Sequence, residues 1–191
     1  VEKFNKLLKK LQPVKEPSEF VTDPYDNERM NEDIAQYSKQ LSPEDLERIH
    51  YAESTGGKYL KNLKPGSSAT GHYQIIDKTR KEAELEAKKQ DLDEDTANPL
   101  RKDAILMKAL VNKYENALKN AKSGPHEPNL ENVYLLHKGG VSGGLNALKD
   151  PKDPKSIEKF KEVKMLLGRK PKSKEKEPKP AANLLELLKD Q

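Results

Sequence analysis

IHYAESTGGKYLKNLKPGSSATGHYQII, residues 49–76, is the stretch around which the rest of the chain is arranged. Its first residues belong to a helix whose start is written at Ser42-Pro43-Glu44-Asp45. Ser42 can cap, Pro43 suits the first helical position, and the two acids favour the positive end of the helix dipole. Leu46, Ile49, His50 and Glu53 then fall at i, i+3, i+4 and i+7, a single helix face. Glu53 is therefore aimed along the stripe that Leu46 and Ile49 bury, in the last turn. Burial disfavours the charged form of a carboxyl group, and a general acid must hold its proton near neutral pH. Gly56-Gly57 breaks the helix. Residues 54–74, with Pro65-Gly66 and Ser67-Ser68, are too polar for core and too long for a simple turn. They predict a functional loop or a small β-hairpin lobe beside the helix. By spacing alone, Glu53 also reads as an ordinary helix-end carboxylate, the commoner case, with the glycines as turns.

Outward from this stretch the pattern is helical. Asn27 to Gln40 predicts a helix with Met30, Ile34 and Tyr37 on one face, and Lys78 to Lys89 a charged one. Asn98-Pro99 starts the clearest helix, in which Leu100, Ala104, Met107, Val111, Tyr114 and Leu118 repeat at four and three. It stops at Ser123-Gly124-Pro125. Leu130 to His137 predicts another helix, which meets the glycines 139–140 and 143–144 before Leu145 to Leu148 resumes. Ser156 to Leu167 is the last amphipathic helix, ended by Gly168. The fold class expected is mainly α, with the loop or hairpin lobe as its one departure.

The ends differ from this body. Val1, Phe4, Leu7, Leu8 and Leu11 stand at helical spacing between lysines, a short basic amphipathic helix expected to pack on the domain or a partner. Pro13, Pro17 and Pro24 make an extended connector of residues 12–26. Residues 169–180 form a Lys/Pro/Glu linker with too little apolar content to fold, and 181–188 (AANLLELL) a terminal docking helix. Residues 1–16 carry five Lys against two Glu, and 169–191 seven Lys or Arg against four acids. Each end is thus +3 and the body −2 within a total of +4. A body built to grip nucleic acid would be basic, so nucleic acid is not the expected partner. No apolar run is long enough to span a membrane. There is no cysteine, so neither disulfides nor thiolate chemistry enter. No signal segment stands at the start, and Val1 in first position leaves processing or trimming open.

Most chemistries find no pattern. His50, His72, His126 and His137 show no metal-ligand spacing, so neither a metal nor another cofactor is expected. The glycines of 139–144 lack the Lys-Ser/Thr of a phosphate loop. Glu53 with Gln74 fits glycan cleavage better. That reaction needs a proton donor on the bridging oxygen and polar groups that hold sugar hydroxyls and N-acetyl groups.

Three ordered motifs strengthen that reading. Glu53-Ser54-Thr55-Gly56-Gly57, then Ser67-Ser68-Ala69-Thr70-Gly71-His72-Tyr73-Gln74, resemble the E-S-x-G-G … S-S-A-x-G-x-x-Q signature of lytic transglycosylases of the goose-type, soluble-lysozyme-like superfamily. Val133-Tyr134-Leu135-Leu136-His137 with Gly140 and Gly143-Gly144 is similar to the L-Y-L-A-H-F-x-G-x-G-G stretch of a phage and proteobacterial branch. The resemblance spans about residues 42–150. It implies an α+β lysozyme-like fold, Glu53 as the single acid/base, and Gln74 near the scissile bond. Ser54, Ser68, Gly71, Tyr73, Tyr134 and His137 are implied as substrate-binding positions. His137 falls where a better-known branch carries the Tyr of A-Y-N-A-G, next to the catalytic carboxylate. That departure, and Lys138 after it, raises the coupling of His137 to the acid as a question.

The loop from Glu53 to Gln74 contains no Asp or Glu to activate water, and Asp77 reads as a helix cap. The expected function is therefore a lytic transglycosylase acting between N-acetylmuramic acid and N-acetylglucosamine of peptidoglycan, with formation of a 1,6-anhydro ring. The domain would span 27–168. A phage virion protein is the expected setting, with 1–11 and 181–188 docking other virion proteins, and the bacterial periplasm is the alternative. A muramidase, or a non-catalytic wall-binding protein on the same fold, are the competing functions.

Overall fold

The structure is a computed structural model and describes residues 25–62, 64–92 and 97–169. The expected basic helix at 1–11, the connector up to residue 24, the linker beyond residue 169 and the docking helix at 181–188 lie outside the described residues. Within them are six helices and no strand: α1 (Asn27–Tyr37), α2 (Pro43–Ser54), α3 (Asp77–Lys89), α4 (Pro99–Lys119), α5 (Leu130–Lys149) and α6 (Pro154–Leu167). The mainly α class is thus observed. The segment after α2 is a loop with isolated antiparallel bridges, Lys61 to Thr70 and Thr70 to Ile75, rather than a hairpin of strands.

Local chemistry sets most helix ends. At α2, Ser42 accepts from the Asp45 N–H while the Asp45 carboxylate accepts from the Ser42 N–H, a full capping box ahead of Pro43. Asp26, Asn98, Asn129 and Asp153 cap α1, α4, α5 and α6 with their side chains. The start of α3 differs from expectation. Asp77 is its first helical residue, not its cap; Ile76 holds the cap position without a side-chain bond, and Ser68 Oγ accepts the Asp77 N–H at 3.2 Å.

α4 is the central element, packed by α1, α3 and α5, while α1 also packs on α2, and α6 on α5 and α2. Its heptad-like face, Ala104, Met107, Val111, Tyr114 and Leu118, is buried as expected. Leu106, Ala109 and Leu110 on other faces are buried too, because neighbours cover the helix on three sides. Tyr37, expected on the inner face of α1, is 39% exposed, since the helix ends there and the chain turns away at Ser38. Most buried polar groups are paired. Glu115 of α4 accepts from Ser38 Oγ (2.5 Å) and from the Lys39 N–H (3.1 Å), which ties the end of α1 to α4. Tyr73 Oη donates to Asn31 Oδ1 at 2.6 Å in the core.

α5 is one helix interrupted at Gly140, whose φ of 69° and ψ of 162° lie outside helical space. A Cβ on Gly144 would lie 2.6 Å from Leu136 Cδ1, so the two halves approach closely only because residue 144 has no side chain. Gly71 is the second such position. Its φ is 81°, and a Cβ there would sit 2.6 Å from Asp103 Oδ2. That carboxylate is buried and accepts the His72 N–H at 2.7 Å. Gly71→Ala is therefore expected to lower the free energy of unfolding by about 2–4 kcal/mol, through a left-handed non-glycine residue and a displaced buried carboxylate. Urea titration checks this, and a loss under about 0.5 kcal/mol would mean that Asp103 yields freely.

Candidate active site

Glu53 reaches its position from the last turn of α2, where Leu46, Ile49 and His50 bury the same stripe. Thr55 then ends the helix in the left-handed conformation, followed by two positive-φ glycines, 56 and 57. The Glu53 side chain is only 6% exposed. Its Oε1 accepts a hydrogen bond from Tyr134 Oη at 2.7 Å, and Lys138 Nζ stands 3.6 Å from the same oxygen. Tyr134 and Lys138 are four residues apart on α5, so one face of that helix delivers both. The Tyr134 phenol is held protonated by burial first and then by the carboxylate beside it. It therefore meets the carboxylate as a neutral hydroxyl donor.

Glu53 opens into a cleft of about 700 Å³, within the range of small-molecule sites. Asn62, Ser67, Gln74 and Ile75 from the loop form one side. The first turns of α3, with Lys78 and Glu82, and Lys113 of α4 form another. His137, Lys138 and residues 139–143 around the α5 kink close the third. Gln74 is itself in the left-handed region, with φ 48°. Its Nε2 donates to Gly71 O (2.9 Å) and Tyr59 O (3.0 Å), which locks the loop and leaves the amide oxygen out of both bonds.

His137 lines the cleft, and its Nε2 donates to the Tyr73 carbonyl at 2.9 Å. That bond places the single proton of the neutral ring on Nε2, and Nδ1 is buried without a partner. Burial, the largest influence, holds the imidazole below its ordinary pKa; Glu53 and the Tyr73 carbonyl oppose this in part. Tyr134, one turn earlier, supplies the hydrogen bond to the carboxylate.

The other implied positions are placed differently. Tyr73 is in the core, bonded to Asn31, and does not line the cleft. Ser54 is buried, donating to His50 O and accepting the Gly57 N–H, so it builds the turn after α2. Ser68 caps the start of α3, and Gly71 makes room for Asp103; neither lines the cleft. Tyr134 is buried beneath it. Of the eight residues expected, Glu53, Gln74 and His137 face the cleft.

Among the lining residues outside that set, Lys138, Glu82 and Lys113 form ion pairs. Lys138 pairs with Glu53, and Glu82 with Lys113 at 3.0 Å across α3 and α4. Glu82 brings a second carboxylate to the cleft wall from α3, beyond the acid-free loop. The Lys113 ammonium, as hydrogen-bond donor and as charge, holds Glu82 below the usual carboxylate range, so it stays ionised. Spacing offered a hint of Tyr134 with Lys138, an i, i+4 pair. Nothing in it could join Glu82 to Lys113, which lie on two helices. Among the described residues, no group of three or more His, Cys, Asp or Glu is arranged to hold a metal ion, and no helix is long and apolar enough to cross a membrane. No family model, curated protein or solved structure matches the chain.

Proposed function

We propose that this chain is a peptidoglycan lytic transglycosylase on a lysozyme-like fold, with Glu53 as its acid/base. The observation that carries the reading is a buried carboxylate at a helix end, braced by a tyrosine and opening into a polar cleft rimmed by Gln74. The three-motif resemblance in the chain supports it. Tyr134 and Lys138 both act on Oε1, which leaves Oε2 to carry the transferable proton. Glu53 gives that proton to the glycosidic oxygen as the C1–O bond of N-acetylmuramic acid breaks, and N-acetylglucosamine departs with a free 4-hydroxyl. The carboxylate then takes the proton of the muramyl C6 hydroxyl, whose oxygen bonds to C1 and closes the 1,6-anhydro ring. Water is not consumed, and Glu53 ends protonated as it began. Gln74 would hold sugar hydroxyl or N-acetyl groups through its amide oxygen. The setting proposed is a virion that opens the wall for genome entry, or else the bacterial periplasm.

One observation favours a second reading. Glu82 is an ionised carboxylate on the cleft wall and could activate a water, which would make the enzyme an inverting muramidase. Mass spectrometry of muropeptides released from purified peptidoglycan separates the two, because anhydro-muramyl ends are lighter by one water than reducing ends. Transglycosylation predicts anhydro ends, with Glu82→Gln changing the rate less than about tenfold. Reducing ends that vanish in Glu82→Gln would assign hydrolysis. Binding of sacculi with no cleavage at all would assign a wall-binding protein.

A further inference from the structure

The cleft contains two ion pairs of different quality. Lys113 Nζ lies 3.0 Å from Glu82 Oε2 and donates a hydrogen bond to it. Lys138 Nζ lies 3.6 Å from Glu53 Oε1, well beyond the 2.7–2.9 Å of a charge-assisted hydrogen bond. Tyr134 already occupies that oxygen at 2.7 Å. The Lys138 side chain is 36% exposed and projects from the last full turn before the break at Gly140. It is a long, solvent-reaching cation held to its partner by charge alone.

Glu53 Oε1 is thereby covered by an ammonium that no hydrogen bond fixes and whose stem reaches solvent. A substrate that brings an anion into the cleft can draw that ammonium off. Peptidoglycan strands do so, since their peptide stems carry free carboxylates next to the muramyl unit that is cut. A neutral N-acetylglucosamine polymer does not.

We propose that Lys138 is a positioning and specificity residue: it pairs with Glu53 and transfers to a stem carboxylate on the incoming strand. The cleft would thereby select glycans bearing carboxylates beside the scissile bond. This rests on the glycan-cleaving reading above. The neighbouring charges fit the role, since Lys78 lines the same cleft and Lys113 is already committed to Glu82.

The test uses the full chain on one peptidoglycan preparation in two forms, native and with its carboxylates amidated by carbodiimide and ammonia. Wild type is expected to cut native strands with a kcat/KM roughly five- to tenfold above that for amidated strands, the range of a partly exposed charge pair. Lys138→Met is expected to narrow that ratio below about twofold by losing on native strands, while Lys138→Arg keeps it. A merely structural lysine would lower both rates and leave the ratio alone. Equal rates for wild type on the two substrates, or a preference retained in Lys138→Met, would overturn the proposal. If no form cuts either substrate, the proposed activity falls by itself. Co-sedimentation with native and amidated sacculi then decides the lysine: a wild-type binding preference lost in Lys138→Met supports its role, and equal binding overturns it.

Discussion

Glu53→Gln is expected to lower release of muropeptides from purified peptidoglycan by about a thousandfold, the weight of a single group that serves as acid and then as base. The substitution keeps the shape of the side chain and an oxygen to accept the Tyr134 hydroxyl, now 2.7 Å from Oε1. What it removes is the capacity to give and take a proton. It also removes the ion pair with Lys138, but that ammonium is solvent-reaching and can be hydrated instead. The cost in stability should stay within about 1 kcal/mol. Circular dichroism and urea unfolding check that the variant is folded, and mass spectrometry of released fragments reads the activity. A folded variant that releases fragments at the wild-type rate would remove Glu53 from the chemistry and with it the proposed function.

The second large effect is on stability against pH. His50 and His72 are both buried, and His50 Nε2 lies 2.9 Å from His72 Nδ1, so the pair can share one proton between the rings but has no room for a second. Burial, and then the facing imidazole, lowers the His50 pKa to about 4. His72 is lowered as well, by burial, with Asp103 opposing. The neutral rings are therefore the ones that fit the fold, and the unfolded chain takes up protons first as pH falls. Stability from this source is complete above about pH 6.5, the ordinary histidine value, and is lost progressively down to about pH 4. His50 alone accounts for about 3 kcal/mol across that window, at about 1.4 kcal/mol per unit. Urea midpoints measured from pH 7.5 to 4.5 should fall for wild type. They should fall less steeply for His50→Asn, which can still bond His72 but does not titrate. Parallel slopes for the two proteins would show that the pair is not the source. His137, lowered in the same direction by its own burial, contributes to the slope that remains.

The consequences of short-range chemistry were legible from the residues alone. The Ser42–Asp45 box, Asn98-Pro99 and the glycine break after α2 are settled within a few positions of chain, and the helices begin and end close to where those signals stand. The inward aim of Glu53 was legible too, because helical phase is itself local. The glycine kink in α5 was visible as a composition, though not as one continuous helix with a single non-helical residue.

Contacts between distant parts of the chain were not legible. Tyr134 meets Glu53 across 81 residues, Lys113 meets Glu82 across 31, and Gly71 is pressed against Asp103. Each depends on how helices stack on α4, and no spacing rule within one helix encodes that. The same physics explains why Ser54, Ser68, Gly71 and Tyr73 lie in a motif read as a binding wall yet serve turns, caps and core. A loop that must expose Gln74 has to anchor every other residue that holds it there. The sequence by itself determined where Glu53 sits on its helix and which way it faces. Tertiary structure alone decided that a tyrosine and a lysine share one of its oxygens, and that a second carboxylate stands in the same cleft, because those side chains converge only when α3, α4 and α5 pack.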